Sequence, residues 1–562
     1  MEEKSYILIY NEDVGLLENE LKNNNIDRYL ILNRKIASIY VKGDFDESIL
    51  SKMDSVYDWE LSIPMSSLIE INNDKSNGTG AREASGVNYI DKNPYINSSG
   101  KDIVIVIIDS GIDYLHPDFI KSDGTSKIVS IWDQTTNKQS PPDGLKFGSE
   151  FKREQINEYI RNSDSSLTQD NIGTGTVAAG IAVGSGSLNK SYKGIAIDSE
   201  LLVVKLREYK GIYKENIISY ELSDFLAGIR YAIDFYKKTN KDMVINLTIG
   251  ERSRAVILTN FLDAFDDLIR AGIVIVSGAG NEGNTDIHFR GQLTSIDSVE
   301  DILIQVGEQK NLDITVSCIG PDKITPYVIS PSGELSYNMK YSPEESVYIG
   351  RFNIEGTDYK LKYNYPWIKS GTEEFIIRLI NVKPGIWTIR LKPQFIINGD
   401  YDIFLPNKNL IDKDTRFINS NSFSTTTLFA TTESVITVGC YNNKIDSIWI
   451  ESSRGTINQN PLKPDIVAPG VNIIGPYKNS QYISSIGTGV SSSIVSGIVA
   501  VLMEYINSQS IFGRNLLYTE ALKVYLMLGA ERQGIYQYPN VNTGYGVLNF
   551  EKTMEEIAKK LR

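Results

Sequence analysis

The residues of this chain that could do chemistry sit at the ends of buried runs. Ile103 to Asp109 is a stretch rich in β-branched residues, followed by Ser110 and Gly111. Such a run reads as a parallel strand that delivers the Asp109 carboxylate at its C-terminal edge, where α/β sheets place their sites. Asn281 lies in a glycine-flanked turn, Ser277 to Gly283, where an amide can satisfy nearby backbone groups. Ser491, Ser492 and Ser493 follow Gly487, Thr488, Gly489 and Val490 on a predicted helix. A serine nucleophile needs a base beside it, and the chain has two histidines, His116 and His288. Both read as turn or surface residues. Cys318 and Cys440 have no catalytic context and read as small buried hydrophobes.

The spacing of these segments resembles the subtilisin-like serine proteases. Asp109-Ser110-Gly111 resembles the D-[ST]-G motif of the triad aspartate. Gly173-Thr174-Gly175-Thr176-Val177-Ala178 resembles the G-H-G-T-H-V-A segment that carries the general base, with Thr174 at the histidine position. Gly487-Thr488-Gly489-Val490 resembles the G-T-S-M start of the nucleophile helix, with Gly489 at the serine position. A glycine has no oxygen with which to attack a carbonyl. A threonine hydroxyl does not accept a proton near neutral pH as imidazole does. Ser491 points about 200° away from position 489 on a helix turning about 100° per residue. Asn281 matches the asparagine that donates to the oxyanion in this family. With no base to orient and no oxyanion to stabilise, structural roles for Asn281 and Asp109 are the favoured readings.

Further segments extend the resemblance over roughly residues 100–300 and 430–550. Val244 to Gly250 is similar to the strand lining the substrate cleft, and Lys463 to Gly470 to the loop ahead of the nucleophile helix. Gly194 to Asp198 and Leu201 to Lys205 also match family segments, although Ile197 replaces a customary proline. Val435 to Cys440 resembles a core strand.

The expected fold is α/β, a subtilisin-like parallel sheet with flanking helices over residues 86–300 and 430–562. Residues 1–85 are expected to form an α+β, ferredoxin-like prodomain. Its strands are Ser5 to Tyr10, a pair within Arg28 to Val41 turning at Asn33 to Lys35, and Trp59 to Met65. Its helices are Val14 to Lys22 and Phe45 to Met53. Asn72 to Gly80 reads as a linker. Residues 301–429 read as an inserted all-β jelly roll of about eight strands, from period-two runs such as Asp313 to Cys318, Ser346 to Phe352, Tyr359 to Tyr363 and Phe375 to Leu379. Pro384 to Leu391 resembles a strand of the jelly rolls appended to subtilases.

At 562 residues the chain suggests three domains. A net charge of -13 argues against nucleic acid as the main partner. No disulfide framework, cofactor motif or metal-ligand spacing is expected. The N-terminus lacks a basic then apolar region, so no secretory signal is expected. The longest apolar runs fall short of the roughly 18 residues of a spanning helix.

The whole arrangement resembles the Csp germination proteases of spore-forming Clostridia. Loss of the His and Ser positions with the Asp kept is most like the CspC-type pseudoprotease, with the CspA type the nearest alternative. The resemblance implies a spore-resident regulator of germination, made in the mother cell and held in the cortex or coat region. Its implied roles are sensing a bile-acid or amino-acid germinant, or controlling an active Csp partner that processes the precursor of a cortex hydrolase. A scaffold that binds no ligand is the alternative, and an active endopeptidase a third. Without nucleophile or base, the prodomain is expected to stay covalently attached.

Overall fold

Parallel strands buried on both faces read as unbroken apolar runs, and the core of this protein is built from such runs. Seven parallel strands stand in the order Ile128–Asp133, Glu200–Lys205, Val104–Asp109, Met243–Leu247, Ile273–Gly278, Ile436–Asn442 and Ile466–Pro469. Antiparallel strands Ser149–Lys152 and Ser447–Ile448 extend the two sides. The computed structural model describes residues 3–43, 45–93, 96–251, 265–338, 347–364, 373–457, 461–509 and 513–559.

Alternation along Val104–Asp109 divides the core in two. Ile105 and Ile107 pack with the helices Thr174–Val183 and Thr488–Ser508, whereas Val104, Val106 and Ile108 pack with Leu222–Thr239 on the opposite face. Thr488–Ser508 has the length and hydropathy of a membrane-crossing segment, unlike the expectation of shorter apolar runs. Yet 89 % of that window is buried inside the fold, as the central helix of the body. Gly497 of this helix packs closely against Ile195 and the Ala182 carbonyl.

The N-terminal unit is a four-stranded antiparallel sheet in the order Tyr29–Ile31, Ile36–Lys42, Glu3–Tyr10, Val56–Leu61. Helix Val14–Asn23 begins at Asp13, whose carboxylate accepts from the Leu16 N–H. The expected second helix is a short 3₁₀ segment, Glu47–Lys52. The expected last strand is also broken. It ends at Leu61, and Pro64–Ser67 joins strands of the main α/β body instead. The expected linker likewise contributes Glu70–Asn72 and Thr79–Gly80 to a small sheet with Ile473–Tyr477 and Gln481–Ile486.

The insert is a sandwich of a six-stranded and a four-stranded antiparallel sheet, drawn from His288–Gln292 through Arg416–Phe417. Its first strand precedes residue 301. The predicted runs lie in Asn311–Cys318, Val347–Phe352, Thr357–Asn364, Glu373–Ile380 and Gly385–Phe395; Ser346 lies outside the described residues. Trp387, fully buried, centres the space between the sheets.

Candidate functional site

The strand Val104–Asp109 places the Asp109 side chain at the mouth of the sheet, with no exposed surface. Thr174, the first residue of its helix, donates from Oγ1 to Asp109 Oδ1 over 2.5 Å. The Ser110 N–H donates to the same oxygen over 2.7 Å. Thr248 Oγ1 donates to Oδ2. Burial pushes this carboxyl up to about 6, against those three hydrogen bonds, which favour the charged form. Asp109 and Thr174 therefore meet directly, with a hydroxyl where an imidazole would stand in the family pattern.

Gly489 and Asn281 meet on a different atom. The Gly489 N–H donates over 2.9 Å to the carbonyl oxygen of Leu68, and Asn281 Nδ2 donates to the same oxygen over 3.2 Å. Asn281 Oδ1 accepts from Thr488 N at 3.0 Å and Oγ1 at 2.9 Å, which fixes the amide's orientation. Two donors converging on one carbonyl oxygen are the geometry of an oxyanion hole. The carbonyl in it belongs to this chain.

The segment around Leu68 is held as an extended strand across this site. Pro64–Ser67 forms a strand between Ile218–Glu221 and Ile249–Gly250, with Met65 opposite Tyr220 and Ser67 opposite Ile249. The Leu68 N–H donates to the Thr248 carbonyl over 2.8 Å. Its side chain is buried where two glycines leave room: a Cβ on Gly278 would stand 3.0 Å from Leu68 Cδ1, and one on Gly250 3.3 Å. Beyond Leu68, residues Glu70–Asn72 pair with Gln481–Ile486. The Leu68–Ile69 peptide thus spans position 489. A Cβ at Gly489 would lie 3.0 Å from the Leu68 carbonyl carbon and 2.7 Å from Ile69 Cγ1.

The neighbouring serines are engaged elsewhere. Ser491 Oγ donates to the Ala468 carbonyl, Ser492 Oγ to Asn246 Oδ1, and Ser493 Oγ to the Gly489 carbonyl. His116 is a turn residue as expected but is fully buried, accepting from Asp118 N through Nδ1 and contacting the Gln481 carbonyl through Nε2. His288, expected at a turn or surface, is instead a buried strand residue 2.9 Å from Asp402. Both cysteines are buried free thiols, and burial pushes Cys440 up to about 12. Among the described residues, no group of three or more His, Cys, Asp or Glu side chains is placed to hold a metal ion.

Sequence reasoning located Asp109, Thr174, Asn281 and Gly489 but missed Leu68. The available signal was a short extended stretch, Pro64 to Leu68, between the last prodomain strand and the polar Asn72 to Gly80. It was absorbed into the preceding strand because nothing in its pattern marks the change of sheet.

Comparison with known proteins agrees with this geometry. The model of the Subtilase family, Peptidase S8, matches residues 100–353 and 407–547. The structure of the Clostridium perfringens CspB protease superposes with a TM-score of 0.74 at 28 % identity, covering 85 % of this chain and 98 % of that one. The C5a peptidase of Streptococcus pyogenes is 24 % identical over 445 residues, 73 % of this chain and 35 % of its own length. The minor extracellular protease Vpr of Bacillus subtilis is 22 % identical over 497 residues, 86 % of this chain and 54 % of its own. The chain thus spans about a third to a half of the length of these curated relatives. With a family match over more than half its residues, a subtilisin-like sheet and a self-occupied cleft, the chain belongs to the subtilase family and is related to the Csp protease.

Proposed function

We propose that this protein is a catalytically inactive subtilase, a pseudoprotease most like the CspC type, that regulates spore germination. The observation that carries the reading is the Leu68 carbonyl, held by Gly489 N–H and Asn281 Nδ2 over a position with no side-chain oxygen. The cleft is organised as for acyl transfer, yet neither nucleophile nor base stands beside the Leu68–Ile69 bond. The prodomain stays attached and its tail fills the cleft, so the preserved body presents its outer surfaces to partners rather than its cleft to substrates.

In this reading the protein resides in the spore and acts as a sensor of a bile-acid or amino-acid germinant, as a regulator of an active Csp protease, or as both. That partner in turn processes a cortex-hydrolase precursor. Likeness to the CspB protease supports the family context.

The test combines two measurements on purified full-length protein. Intact mass after prolonged incubation is expected to match the uncut chain, and a fluorophosphonate probe is expected to leave it unlabelled. Probe labelling, or self-generated cutting at Leu68–Ile69, overturns inactivity. Co-purification with an active Csp protease, and a change in that partner's cleavage rate on addition of this protein, support regulation. No effect on the partner overturns it.

A further inference from the structure

Outside the cleft, a second cavity of about 100 Å³, open at its mouth, lies where prodomain, α/β body and inserted sandwich meet. One wall is a face of the six-stranded sheet. Lys362 stands opposite Ile376, and Ile376 opposite Thr315; the adjoining row is Lys360, Arg378 and Asp313. Facing them is the prodomain strand Val56–Leu61, through Trp59 and Glu60. Phe404 and Pro406 add apolar surface.

Most charges on these walls are matched. Lys360 pairs with Glu47. Arg378 grips Asp313 with two contacts of 2.7 and 2.5 Å, and Tyr213 donates to the same carboxylate over 3.0 Å. Two groups remain. Lys362 Nζ lies 4.0 Å from the centre of the Trp59 ring and donates to the Trp59 carbonyl, with no carboxylate in salt-bridge range among the described residues. Glu60 is 8 % exposed, and its Oε2 has no hydrogen-bond partner among them. Burial pushes the Glu60 carboxyl up to about 7, against the pull of Lys362 and Arg378. A buried polar atom left unmatched is costly.

We propose that this cavity binds a small organic molecule with an anionic group next to a hydrogen-bond donor on an apolar body, an apolar α-amino acid being the simplest example. The anion faces Lys362, the donor meets Glu60 Oε2, and the apolar part lies along Ile376, Phe404 and Pro406. Ile63 and Pro64, which also line the cavity, lead directly into the strand Pro64–Ser67 and so to Leu68. Occupancy is thereby tied to the segment that fills the cleft. The site rests on the regulatory reading for its purpose only. No binding refutes the site, whereas binding without effect on a partner protease refutes the regulation.

The test is calorimetric titration of the full-length protein with L-phenylalanine, L-phenyllactate, phenethylamine and 3-phenylpropanoate. Phenylalanine and phenyllactate, which keep both anion and donor, are expected to bind saturably. The two analogues lacking one or the other are expected to bind at least about tenfold more weakly. Lys362→Met is expected to abolish the preference for phenylalanine over phenethylamine, and Glu60→Gln, which keeps an acceptor oxygen but loses the charge, to narrow the preference for phenylalanine over 3-phenylpropanoate. If Glu60→Gln does not fold, Lys362→Met alone decides. No saturable binding of phenylalanine or phenyllactate up to about 10 mM, or binding indifferent to Lys362→Met, overturns the proposal.

Discussion

The backbone N–H of Gly489 donates to the carbonyl oxygen of Leu68 across 2.9 Å. The residue that supplies no nucleophile therefore still supplies one donor of an oxyanion-type pair. This sets a graded expectation for rebuilding the triad. Gly489→Ser alone lacks a base, a group that contributes typically 10²–10⁴-fold, and is expected to leave the chain whole. Gly489→Ser with Thr174→His adds the base beside Asp109, but the new Cβ meets Ile69 Cγ1 at 2.7 Å. Adding Ile69→Ala relieves that contact, so the triple variant is expected to cut itself faster than the double. Mass spectrometry checks both rate and place, with a new N-terminus at residue 69. Equal rates in double and triple variants would show that the crowding at Ile69 does not limit the reaction.

Leu68 anchors the tail as well as occupying the site. Its side chain is 2 % exposed, and Leu68→Ala is expected to cost about 2–5 kcal/mol, as other buried Leu→Ala changes do. Because the lost contacts hold the tail, the effect should be local first. Proteinase K cleavage or hydrogen exchange is expected to reach residues 64–72 of the variant while the parallel sheet stays protected. A uniform loss of protection would mean that the tail and the body unfold as one unit.

Asn281→Ala removes one hydrogen bond to Leu68 and both bonds that Oδ1 accepts from Thr488. Leaving the buried Thr488 N–H unmatched is expected to cost about 1–3 kcal/mol. In a working protease the same change would chiefly lower turnover. Here chemical denaturation is the measurement, and unchanged stability would sink a structural role for Asn281.

The parallel sheet was legible because its strands are continuous apolar runs whose boundaries coincide with the family motifs. Asp109, Thr174, Asn281 and Gly489 were legible through the same motifs: Asp109 ends its strand, Thr174 and Gly489 lie in the first turns of their helices, and Asn281 lies in the turn after Ile273–Gly278. The tail was not. Pro64 to Leu68 is short, and its partners Ile218–Glu221 and Ile249–Gly250 lie more than 150 residues away in sequence, so no local periodicity reveals the pairing. His288 was misread because its burial depends on Asp402, 114 residues distant, which a local pattern does not show. The junction cavity was equally hidden: Lys362, Trp59 and Tyr213 come together only when three units pack.

Packing at that junction also sets how stability responds to pH. Glu221 is buried against the prodomain, and burial raises its carboxyl from 4.5 to about 7, opposed by hydrogen bonds from Ser62 and Ser5 and by Arg378, and reinforced by Asp224. Glu60 shifts in the same direction, with Lys362 and Arg378 opposing and Asp58 and Asp313 reinforcing. For a carboxyl raised on folding, the contribution to stability is complete below the unfolded value. It is lost as pH climbs through the folded one, because the unfolded chain then releases a proton that the folded chain retains. The full swing for Glu221 is at most about 3 kcal/mol, at 1.36 kcal/mol per pKa unit. Asp109, raised to about 6, adds in the same sense. Lys127 and Lys360, held down to about 8 by burial, change the balance only above that window. The unfolding midpoint is therefore expected to fall between about pH 5 and pH 7.5. Glu221→Gln should flatten that slope, and its hydrogen-exchange signature should centre on residues 60–67. A midpoint that rises over this range, or a slope unmoved by Glu221→Gln, would mean that the buried carboxyls of the junction do not govern how the prodomain is held.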